Sequence, residues 1–133
     1  MQEAAPGNCK ISLLCSKIAG AVSRGEADRG ILICSTGIGM SILANRFKGS
    51  GRHYKHDTYM AKMTRAHNDS NVLCLGGKVI GELEALDILD AWLDTEYEAG
   101  RHSISLELIG EAEEHLSQPI TPQQEELFHD FNR

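Results

Sequence analysis

The residues best equipped for chemistry in this chain are contiguous. Cys34 closes the apolar run Gly30-Ile-Leu-Ile-Cys34, and Ser35-Thr36-Gly37-Ile38-Gly39-Met40-Ser41 follows at once. A thiol becomes a base or nucleophile once it loses its proton. Neighbouring hydroxyls can relay protons, and a glycine turn leading into a helix leaves backbone N–H groups facing an anion or a developing oxyanion. Spacing alone leaves two readings open: a ligand site, or a tight turn after a strand that ends in a buried thiol. The turn is not a dinucleotide fingerprint, because Ile42 stands where the third glycine belongs, and it is not a P-loop.

A second candidate is His67. Met60, Met63 and His67 share one helical face at i, i+3 and i+7. Histidine titrates near neutrality and can serve as acid or base, although a lone histidine that ends an apolar helix face is more often structural. His53, His56, His102, His115 and His129 form no convincing metal grouping. Cys9, Cys15, Cys34 and Cys74 include no C-x-x-C pair, so zinc and redox spacings are absent.

The elements that must hold these residues alternate in type. Residues 11–24 have helical spacing, Gly30–Cys34 reads as a strand buried on both faces, and a helix follows over Met40–Arg46. Lys48–Lys55 is polar and glycine-rich, a loop with at most a short strand. Asp57 suits an N-cap for a helix that stops near Asn68-Asp69. Asn71–Leu75 is a second buried strand, closed by Gly76-Gly77. Residues 82–94 form an acidic helix whose buried face is Ala85, Ile88, Leu89 and Trp92. A further helix carries Leu108, Ile109, Ala112 and Leu116. In the tail, Thr121, Pro122 and Gln124 mark a short capped helix.

Charge limits the partners. The net charge is −6, which disfavours nucleic acid. The bases are concentrated: six of them (Arg46, Lys48, Arg52, Lys55, Lys62, Arg65) lie between positions 46 and 65 against one acid, Asp57. Such a basic centre is either a solvated loop or a site for a small anion. No apolar run approaches the roughly 20 residues that span a bilayer. These features give the expectation of a cytoplasmic protein with reduced thiols and no membrane or nucleic-acid partner.

Residues 25–46 (GEADRGILICSTGIGMSILANR) closely resemble the signature of the type-B ribose-5-phosphate isomerase and galactose-6-phosphate isomerase family. The resemblance resumes at 56–81 (HDTYMAKMTRAHNDSNVLCLGGKVIG) and 90–102 (DAWLDTEYEAGRH). It implies an aldose–ketose isomerase of sugar phosphates that uses no metal and no organic cofactor. Cys34 matches the base that takes the proton beside the carbonyl. Thr36 matches the hydroxyl that assists proton transfer, and the amides of Gly37, Ile38 and Gly39 match the cradle for the enediolate oxygen. Ser41 and Asn45 fall beside the same pocket, although each suits a local helix hydrogen bond equally well. His67, with Asn68 beside it, matches the histidine that opens the sugar ring. Arg101 matches a phosphate ligand, and Lys78 stands where arginine is common. The family assembles its site between two subunits, so the resemblance also implies a homodimer or higher oligomer, or pairing with a related subunit.

Three departures accompany the match. The family's opening strand with its Asp-His pair, the next helix and a second strand have no counterpart. The polar stretch SGRHYK replaces an apolar strand, with its arginine at Arg52. Ser105 replaces a second phosphate arginine. The expected fold is therefore α/β, a Rossmann-like parallel sheet flanked by helices that lacks the family's first strands. One domain is expected over residues 1–117, with a flexible arm at 1–10 and a tail at 118–133. Two functions fit: an isomerase, with ribose 5-phosphate and ribulose 5-phosphate as the leading pair, or a non-catalytic family subunit that acts through a partner chain.

Overall fold

The computed structural model describes residues 6–49, 52–54 and 56–116. Three parallel strands, β1 (Gly30–Cys34), β2 (Arg52–Tyr54) and β3 (Val72–Gly76), form one sheet in the order β1-β3-β2. In the register, Gly30 lies opposite Val72 and Cys34 opposite Gly76. Parallel strands need crossover connections, and helices supply them. The helices of this unit are α1 (Pro6–Ser23), α2 (Ile38–Ala44), α3 (Thr58–Asn68) and α4 (Glu82–Asp94).

The central strand β3 is buried at all five positions. Its alternating side chains feed two cores. Val72 and Cys74 pack with Leu32 and with Cys15, Ala19, Val22, Met40 and Ala44 from α1 and α2. Leu73 and Leu75 pack with Ala61, Ile88 and Trp92 from α3 and α4. The acidic helix α4 spans 82–94 as its pattern predicts, with Ile88 and Trp92 fully buried and Ala85 and Leu89 packed beside them.

The structure differs from the sequence-based expectation in several places. Although GILIC is apolar throughout, β1 is buried on one face only: Leu32 is covered, while Ile31 and Ile33 are 42% and 60% exposed. The helices of the second layer pack over Leu73 and Leu75, so the α3–α4 core covers β3 and not this face of β1. Helix α3 buries Ala61, Thr64, Arg65 and Ala66 rather than Met60 and Met63, because small side chains let it approach closely. Helix α1 begins at Pro6, ahead of the expected start and within the expected flexible arm. Proline suits the first helical position because its missing N–H has no partner to lose there. The 52–54 stretch does form a short strand.

The chain divides into two compact units, Met1–Glu98 and Ala99–Arg133, where a single domain over 1–117 was expected. Ala99 and Gly100 at the boundary are both left-handed, with φ of 53° and 60°. A helix cannot run through such a pair. The second unit opens with α5 (Arg101–Leu116), which carries Ile104, Leu108 and Ile109 exposed. The tail with Thr121, Pro122 and Gln124 lies outside the described residues.

Candidate active site

Cys34 is the last residue of β1, at the carboxyl edge of the sheet, and is half-buried. The chain then turns sharply into α2. Gly37 caps that helix with φ 81°, a conformation that a side chain would strain. This turn directs the Gly37 N–H at the Cys34 Sγ, 3.1 Å away. The next amide, that of Ile38, donates to Thr36 Oγ1 at 3.3 Å and so fixes that hydroxyl on the turn. Thr36 and Gly39 are exposed, so the turn opens to solvent.

The turn after β3 is stitched to this one. Gly77 N–H donates to Cys34 O at 2.8 Å, and Lys78 N–H donates to Ser35 O at 3.0 Å. The close approach requires Gly76: a Cβ there would stand 2.6 Å from the Thr36 carbonyl oxygen. Lys78 is thereby held, exposed, at the rim of the Cys34 turn. On α2, Met40 and Ala44 are buried and anchor the helix. Ser41 and Asn45 face each other one turn apart, and Asn45 Nδ2 donates to Ser41 O at 2.8 Å and to Ser41 Oγ at 3.4 Å. Cys34, Thr36, Gly37, Ile38, Gly39 and Lys78 therefore gather at the carboxyl edge of the sheet, while Ser41 and Asn45 pair with each other along α2.

His67 and Asn68 do not join that cluster within the chain. They end α3, which leads through Asp69–Asn71 into the first residue of β3. They therefore stand at the amino edge of the sheet, beside the Val72–Gly30 end of the register. With a rise of about 3.3 Å per residue, the strands alone put roughly 13 Å between the two edges. His67 Nε2 lies 3.9 Å from Glu98 Oε2, and the Glu98 N–H ties to Ala66 O at 3.0 Å. Arg101, the first residue of α5, lies exposed in the second unit. Two participants were missed in the sequence: Gly76, whose only signal is the Gly-Gly pair after a buried strand, and Glu98, which has no local signature.

Known proteins match this chain in sequence and in fold. A family model described as Ribose/Galactose Isomerase matches residues 3–109. The chain belongs to the ribose/galactose isomerase family. It is 49% identical over 94 residues to ribose-5-phosphate isomerase B of Escherichia coli (strain K12), a match covering 71% of this chain and 63% of that one. It is 45% identical over 93 residues to D-erythrulose-4-phosphate isomerase of Pectobacterium atrosepticum, covering 70% of this chain and 61% of that one. Among solved structures, ribose-5-phosphate isomerase B of Clostridium thermocellum superposes with a TM-score of 0.77 at 46% identity, covering 80% of this chain and 72% of that one. The chain thus spans somewhat under two thirds of these curated relatives, in keeping with the three-stranded sheet. No helix among the described residues is long and apolar enough to cross a membrane.

Proposed function

We propose that this chain is a subunit of a cofactor-independent aldose–ketose isomerase of the ribose/galactose isomerase family, with Cys34 as the base. Ribose 5-phosphate and ribulose 5-phosphate are the leading substrate pair. The relative that acts on erythrulose 4-phosphate makes a four-carbon sugar phosphate the alternative. The observation that carries this reading is the Gly37 N–H aimed at the Cys34 sulfur at the open carboxyl edge of the sheet, where α/β folds bind ligands.

In the open-chain aldose, the Cys34 thiolate removes the proton from C2. The electron pair left behind forms the C1–C2 double bond of an enediol, and the former carbonyl oxygen takes the charge. The Gly39 amide, next in the turn after the two that hold Cys34 Sγ and Thr36 Oγ1, is assigned to that oxygen. The Thr36 hydroxyl passes a proton between O1 and O2, and Cys34 returns the first proton to C1, leaving the ketose. Lys78 and Arg101 are the cations assigned to the phosphate. Lys78 acts as a point charge and cannot offer an arginine fork.

His67 and Asn68 serve the prior step, opening the sugar ring. They stand at the amino edge, so they serve the Cys34 pocket of a second subunit, and the working unit is a dimer or larger assembly in the cytoplasm. The exposed Ile31 and Ile33 on β1 favour a second reading, a non-catalytic subunit that acts through a partner chain. Conversion of ribose 5-phosphate by the purified chain and by Cys34→Ala separates the two. The isomerase reading expects wild-type turnover and a loss of about 10²–10⁴-fold in the variant, the usual worth of a general base. A folded wild-type chain with no turnover on either the five-carbon or the four-carbon sugar phosphate contradicts it.

A further inference from the structure

Arg65 is buried, only 7% exposed, two residues before His67. A buried guanidinium is costly unless its donors are matched. Here Nη1 donates to Asp69 Oδ1 at 2.9 Å and to Ser70 O at 2.6 Å. The main chain of the same helical turn grips the same two residues. Asp69 N–H donates to Arg65 O at 3.3 Å, and Ser70 N–H donates to Thr64 O at 3.2 Å. Between them Asp69 takes a left-handed conformation, φ 46° and ψ 42°, that closes α3. Ser70 Oγ, fully buried, accepts from Trp92 Nε1 at 2.8 Å and locks the turn to α4. His67 and Asn68 are the last two residues of α3, directly before the gripped pair.

We propose that Arg65 is a positioning residue, whose guanidinium clamps the Asp69–Ser70 turn and thereby sets the direction in which His67 and Asn68 are presented to the sugar. The proposal rests on the ring-opening role of His67 given above. A clamp of this kind acts on one chemical step. Ribose 5-phosphate closes into a five-membered ring, which must open before the C2 proton becomes acidic. An aldotetrose 4-phosphate carries its phosphate on the hydroxyl that would close such a ring, and it needs no opening.

The test uses the full chain with Arg65→Lys, which keeps the charge but ends one atom short of the Nη1 position that makes both bonds, and with Asp69→Gly. The second removes the clamp's exposed partner and retains the left-handed cap that glycine favours. Turnover of ribose 5-phosphate is expected to fall about 10²-fold in Arg65→Lys, the scale of a small misplacement, and less in Asp69→Gly, with KM little changed. Turnover of erythrose 4-phosphate is spared in both. In a His67→Ala background, Arg65→Lys is expected to cost nothing further. Equal losses on the two substrates, or an undiminished loss in that background, overturn the proposal. Amide hydrogen exchange gives a readout independent of turnover: both variants expose the Asp69 and Ser70 amides and leave the Met60 amide at the other end of α3 protected. Unchanged exchange at Asp69 and Ser70 overturns the clamp, even in a chain without isomerase activity. Faster exchange in such a chain sinks the isomerase reading and leaves the clamp standing.

Discussion

Sulfur, hydroxyl and imidazole carry different steps in this account, and substitutions should separate them. In the proposed mechanism Cys34 and Thr36 act on the enediol, which every substrate forms; His67 acts on the ring, which only some substrates have. His67→Ala should therefore reduce turnover of ribose 5-phosphate more steeply than that of erythrose 4-phosphate, by about 10²-fold or more in the ratio of kcat values. Parallel steady-state assays on the two substrates check this, and equal losses would assign His67 to a step they share. These residues were candidates in the sequence, because Cys34, Thr36 and the glycines are adjacent and the stretch around His67 resembles the family. Their separation was not legible from the motif. It follows from topology, since a residue closing α3 and a residue closing β1 belong to opposite edges of a parallel sheet. Glu98 beside His67 was hidden for a simpler reason: the two are 31 positions apart in the chain, and the contact is made by tertiary folding alone.

At the scale of elements, the site is two loops joined edge to edge. The β1–α2 turn supplies the sulfur and its donor, and the β3–α4 turn holds it through Gly77 and Lys78. Gly76 is the residue that lets them meet. Gly76→Ala forces a methyl group to within 2.6 Å of Thr36 O. It should destabilise the fold by about 1–3 kcal/mol, as overpacking does, and it should lower turnover beyond that by displacing Thr36. Denaturant titration and kcat at a temperature where the variant stays folded measure the two effects. Native stability with native turnover would show that the two turns need not touch.

The elements themselves were mostly legible. The boundaries of α4, the strands around Leu32 and Cys74, and the Asp57 cap, whose Oδ1 accepts from Met60 N–H at 2.8 Å, follow from local pattern. The buried face of α3 was not read from the sequence, which showed only that Met60, Met63 and His67 share a face. Two methionines at helical spacing outweigh alanine and threonine in any hydrophobic pattern, yet the smaller residues are the ones that pack. The exposed face of β1 was misread for a related cause, since an apolar strand looks the same whether or not a neighbour covers it.

For the whole molecule, one chain holds each half of the proposed site at a different edge of the same sheet. The proposed dimer resolves this by closed twofold symmetry: each of its two identical pockets would take Cys34 from one subunit and His67 from the other. The most direct test mixes two impaired variants, Cys34→Ala and His67→Ala, under conditions that exchange subunits, and assays ribose 5-phosphate conversion. Each mixed dimer then contains one intact pocket and one doubly damaged pocket, so random exchange should restore about a quarter of wild-type activity. Mixed dimers detected by native mass spectrometry without any recovered turnover would contradict the shared site.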